Sequence, residues 1–199
     1  MISLISKRIA LSLYKKEIID DEKLPVCEYG FELMISIFIG FLLIIISGIL
    51  LDELLASIIF YIMFVCVRTF TGGFHAKTHF YCKLTMMLCC LFVIIGTKLL
   101  NGQPSLILFN LLFLMVYIVS VFLYAPVEHE NAPMTNELKK RNRKISIIMA
   151  IALSFLIVMV MFCFPKIAVI FSLTLFVIAV LIIIPNIKER RNRHYEKNN

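Results

Sequence analysis

Residues 54–67 read LLASIIFYIMFVCV, residues 68–83 read RTFTGGFHAKTHFYCK, and residues 84–97 read LTMMLCCLFVIIGT. Two uncharged apolar runs of 14 residues thus flank a polar island that holds every charge in the stretch. How the three segments are read sets the number of membrane crossings. Each run falls short of the roughly 20 residues a spanning helix needs. Either the aliphatic stems of Arg68, Lys83 and Lys98 lengthen the runs by snorkelling, or the pair is re-entrant.

The rest of the chain is that of a membrane protein. Of its 199 residues 61% are hydrophobic, none is Trp, and the mean hydropathy is +0.94. A soluble domain of this length has no room to bury so much apolar surface, whereas a bilayer takes it directly. Further apolar runs lie at 33–51, 99–124, 145–164 and 167–187. The first twenty residues carry Lys7, Arg8, Lys15 and Lys16, which is not the pattern of a cleavable signal peptide.

Charge chooses between the two readings. If all six runs span, all but two of the 20 Lys and Arg fall on one side, and only Lys98 and Lys166 on the other. That asymmetry fits the positive-inside rule and places both termini and the island in the cytoplasm. It also accounts for the net charge of +7 without a nucleic-acid partner. The expected fold is all-α: a polytopic membrane protein of about six transmembrane helices, with an amphipathic helix over residues 2–19 that sets Ile2, Ile5, Ile9 and Leu13 on one face. Residues 1–199 form a single integral membrane domain. Within it, 1–24 is interfacial, 68–83 is the cytoplasmic site segment, 125–144 a basic cytoplasmic loop and 188–199 a basic tail. The six cysteines make no CxxC pair or disulfide-like framework, which suits a reduced setting.

The island is expensive to keep at the edge of the hydrocarbon region, so its default reading is a site. Cys82 near a histidine suggests a thiolate nucleophile whose proton goes to imidazole. On an unbroken helix His79 and Cys82 are neighbours. His75 and Cys82 then sit about 10 Å apart along the axis, unless the chain turns back after the Gly72-Gly73 break. A metal held by His75, His79 and Cys82 is a third option, with a fourth position open to water. The plain alternative is histidines at headgroup level and Cys82 packed as a small core residue. Spacing alone leaves these open.

Arg68, Gly72-Gly73-Phe74-His75-Ala76-Lys77 and Cys82 seven residues after the histidine resemble the signature of the accessory gene regulator B (AgrB) family of membrane endopeptidases in quorum sensing. The likeness extends to chain size, six apolar runs, the basic loop between the fourth and fifth, and the Ala125-Pro126 start of that loop. It implies His75 and Cys82 as the catalytic pair, no cofactor, and a break in helical geometry between them. It implies an AgrD-like precursor peptide as substrate, a homodimer, and cyclisation of the product to a thiolactone or lactone through an acyl-thioester on Cys82. Arg68, Lys77, Lys139, Lys140 and Arg141 are then candidates to bind an acidic precursor tail. Positive-inside topology explains the 139–141 run equally well. Backbone N–H groups near Gly72 and Gly73 are candidates for an oxyanion site, or the glycines are a hinge. Glu128 or Glu130 as a partner for His75 is disfavoured. A metal-dependent hydrolase would lose activity to a chelator, and a non-enzymatic transporter or scaffold would tolerate Cys82→Ser.

Overall fold

A computed structural model of the chain describes residues 2–16, 18–72, 79–103, 105–127 and 135–198, with side chains from 3 to 187 outside 17, 73–80, 104 and 128–134. Seven α-helices follow one another: α1 Ile2–Lys15, α2 Leu24–Leu50, α3 Leu54–Thr71, α4 His79–Leu100, α5 Leu106–Tyr124, α6 Asn136–Cys163 and α7 Pro165–Asn198. Six of them, α2 to α7, are long and apolar enough to cross a membrane. Among the described residues there is no strand, only an isolated parallel bridge between Gly72 and Val127.

The two short runs become full-length helices by recruiting the island itself. α3 continues through Arg68 to Thr71 and has 18 residues, about 27 Å at 1.5 Å per residue. α4 starts at His79, runs through Lys98 to Leu100 and has 22 residues, about 33 Å. Both match a hydrocarbon core of about 30 Å, so neither needs to be re-entrant. The interruption is correspondingly shorter than the apolar pattern implies. α2 and α6 likewise begin earlier than their apolar runs, at Leu24 and Asn136, because polar first turns stay helical outside the apolar window. At α6 the Thr135 hydroxyl accepts a hydrogen bond from the Leu138 N–H at 3.3 Å, an N-cap.

Contacts divide the chain into two compact units, 1–46 and 47–199. In the first, α1 ends before residue 19 because the Ile18 N–H reaches back to the Leu13 carbonyl, closing the helix. Its Ile5 and Ile9 are exposed, as side chains turned toward lipid would be.

In the second unit α7 is the central post. It packs against α3, α4, α5 and α6, and its apolar window is the most buried of the six. The burial pattern is that of a bilayer protein: Ser57, Thr97, Asn110, Ser120, Ser146, Ser154, Ser172 and Thr174 are buried, while Ile62, Phe92, Met115, Phe155 and many other large apolar side chains are exposed. Lipid competes for apolar faces, so helices associate through small and polar residues. Ser57, Thr97, Ser120 and Thr174 each return a hydroxyl hydrogen bond to a carbonyl four residues back. Ser172 donates to the Asn110 side-chain oxygen and joins α7 to α5.

α4 and α7 pack closely at Gly96, where an added Cβ would meet a Leu173 methyl at 3.0 Å. At the same end Lys98 donates to the Leu51 carbonyl at 2.8 Å, and Lys166 pairs with Glu53 at 2.9 Å. The only two basic residues that the charge pattern assigns to the far side are thus both fixed on the α2–α3 turn.

Candidate active site

The opposite end of the second unit gathers the C-terminus of α3, the N-terminus of α4 and the end of α5. α3 stops at Gly72, whose N–H still bonds the Arg68 carbonyl at 3.0 Å, while its backbone turns to φ 67° and ψ −146°. Side-chain-bearing residues rarely adopt that conformation. The same glycine lets another segment come close. The Val127 N–H donates to the Thr71 carbonyl at 3.0 Å, and a Cβ on Gly72 would collide with the Val127 carbonyl oxygen. The start of the 125–144 loop is therefore docked on the start of the polar interruption.

Gly73, His75 and Lys77 lie outside the described residues, as do Glu128 and Glu130. The helical path from His79 onward does place Cys82 in the first turn of α4. It is half-buried and not in a disulfide. His79 is on that same turn; its side chain is not among those described. The break in helical geometry expected between His75 and Cys82 falls on residues outside the described ones.

Arg68 sits one turn before the end of α3 and is half-buried. Its guanidinium lies 5.2 Å from the centre of the Phe64 ring, an arrangement in which the ring face attracts the cation. It is also within electrostatic reach of Cys82 and of Cys89. α3 and α4 thus bring together Arg68 and Cys82, two residues of the sequence motif separated by 14 positions. Lys139, Lys140 and Arg141 are exposed on the first two turns of α6.

Comparison with known proteins settles the family. The profile described as "Accessory gene regulator B" matches residues 6–188. The chain belongs to the accessory gene regulator B family. Among curated relatives, a putative AgrB-like protein 2 of Clostridium perfringens is 28% identical over 149 residues, which cover 72% of this chain and 69% of that one. Protein FsrB of Enterococcus faecalis is 31% identical over 108 residues, 52% of this chain and 44% of that one. Accessory gene regulator protein B of Staphylococcus aureus is 25% identical over 142 residues, 71% of this chain and 74% of that one. No solved structure matches the chain significantly.

Membership ties the protein to accessory gene regulation and quorum sensing, and the matched range includes residues 68–82. Sequence reasoning did not find the docking of Val127 on Gly72 or the second sulfur, Cys89, in the field of Arg68. For Cys89 a signal was present: Cys82, Thr85 and Cys89 stand at i, i+3 and i+7 and so share one helical face.

Proposed function

We propose that this AgrB-family protein is a membrane cysteine endopeptidase that cleaves an AgrD-like precursor peptide and closes the released segment into a ring. The observation that supports it best is the placement of Cys82. It stands in the first turn of a spanning helix, directly after the segment that carries His75, with the Arg68 cation within electrostatic reach of the sulfur.

In this reading His75 takes the Cys82 thiol proton, and the thiolate attacks a peptide carbonyl in the precursor. The C–N bond breaks, His75 returns the proton to the departing amine, and the acyl group stays on sulfur as a thioester. A cysteine or serine of the precursor then attacks that thioester. Cys82 leaves as thiolate, and the ring carries a thioester or ester. Exchange of one thioester for another is nearly balanced in energy, so ring closure depends on keeping water from the acyl-enzyme. Cys82 is half-buried in the first turn of α4, at the edge of its apolar span, a position that limits water access. Arg68 offsets the negative charge that builds on sulfur and on the attacked carbonyl.

The acyl-enzyme is the direct test. Protein mixed with precursor at low temperature and quenched in acid is expected to show, by intact mass, an adduct equal to the acyl fragment. Neutral hydroxylamine should remove it. An adduct that never forms under conditions where the precursor is consumed sinks the covalent route.

Cytoplasmic placement of this end and of both termini rests on the charge asymmetry. It is checked with Gln103→Cys in the α4–α5 turn, in a Cys163→Ala background. A membrane-impermeant maleimide should label that cysteine on intact cells and leave Cys82 unlabelled until the cells are opened. The reverse pattern would invert the topology.

A further inference from the structure

α4 and α7 run antiparallel: Gly96 meets Leu173, and residues of 85–92 and 176–181 line one groove. That groove, of about 390 Å³, lies on the Cys82 side of the Gly96 contact. Leu88, Cys89 and Phe92 form one wall, and Phe176, Val180 and Leu181 the other, with Thr85 at the mouth. Thr85 is one turn from Cys82 on the same helix face, about 4.5 Å along the axis.

We propose that the α4–α7 groove is the specificity subsite of this protein: it holds a large apolar side chain on the peptide residue whose carbonyl becomes bonded to Cys82. This rests on the peptidase reading above. The occupant is fixed by continuity with Cys82. A residue acylated onto that sulfur carries its side chain one bond beyond the carbonyl, within reach of the Thr85 mouth. The walls behind Thr85 offer only aliphatic, aromatic and thiol groups. A charged side chain there would be desolvated without a partner, while an aromatic or branched aliphatic one would displace lipid or water and cover the thioester.

The test uses full-length protein in detergent and three probes: the chloromethyl ketones of N-acetyl-phenylalanine, N-acetyl-glycine and N-acetyl-lysine. In each reaction the Cys82 thiolate forms an S–C bond at the chloromethyl carbon and chloride departs. Alkylation of each cysteine is followed by peptide mass spectrometry. The phenylalanyl probe is expected to modify Cys82 at least about tenfold faster than the glycyl or lysyl probe. In Val180→Trp, which fills the groove, the phenylalanyl-to-glycyl rate ratio at Cys82 should fall to about 1.

Equal rates for the three probes on the unaltered protein overturn the subsite, whatever the variant does. Iodoacetamide, too small to need the groove, separates this from failure of the parent reading. If it alkylates Cys82 ahead of Cys27 and Cys66 while the three probes do not differ, the subsite alone is wrong. If Cys82 shows no such priority, the nucleophile and the subsite fall together.

Discussion

Cys82→Ala protein mixed with the cognate precursor should release no cleaved product and form no acyl adduct, because Cys82 carries the one thiol of the sequence 79–82 that opens α4. Cys89 shares the field of Arg68 but sits about 10 Å deeper along α4, below the mouth of the groove. His75→Ala should lose about 10²- to 10⁴-fold in cleavage rate, the span associated with losing a general acid–base. His79→Ala should stay within a few-fold of the unaltered protein. That three-way comparison is decisive, since His79 and Cys82 occupy one helical turn, whereas the pairing of His75 with Cys82 rests on the family resemblance. Were His79→Ala the inactive variant and His75→Ala the active one, imidazole would act as a helical neighbour and the assignment by family resemblance would be wrong. Product mass spectrometry over a time course reads all three variants.

Gly72→Ala is expected to be the most damaging substitution outside the catalytic pair. Two costs coincide at this position. The backbone conformation, φ 67° and ψ −146°, is nearly closed to any residue with a Cβ, a penalty of about 1–3 kcal/mol. The added methyl would also strike the Val127 carbonyl oxygen. Relief requires that the Val127 segment lift away, which breaks the bond from its N–H to the Thr71 carbonyl, or that the chain after α3 be redirected. Either shift propagates into the residues leading to His75, three positions on. A displacement of about 1 Å between reacting groups can cost 10²-fold, and a loss of about that size in cleavage is expected.

Gly102→Ala is the matched control. Gly102 also has positive φ, 83°, but nothing lies within 4 Å of its added Cβ, and it belongs to the α4–α5 turn at the other end of α4. Its substitution should lower thermal stability slightly and leave cleavage unchanged. Equal activity of the two glycine variants would mean that the Gly72–Val127 junction has no part in arranging the site.

Much of the fold was legible along the chain because the bilayer imposes it. Apolar length counts the helices long enough to cross, and that is a one-dimensional property. The limits of the apolar runs misjudged the helices for the same reason. Hydropathy measures where lipid begins, but backbone hydrogen bonding continues past that level, so Arg68 to Thr71 and His79 to Lys83 are helical despite their polarity.

The order of residues by itself determined six crossings, the family signature around Cys82 and the identity of the candidate nucleophile, because these depend on composition, charge and spacing within single segments. Tertiary structure decided which distant pieces lie near one another: Arg68 within electrostatic reach of Cys82, Val127 lodged on Gly72, and the groove between α4 and α7. Those depend on how closely two helices approach, and that is governed by where a missing Cβ lets backbone or side chain in, at Gly72 and Gly96. No periodicity in one segment encodes the partner that will occupy the space.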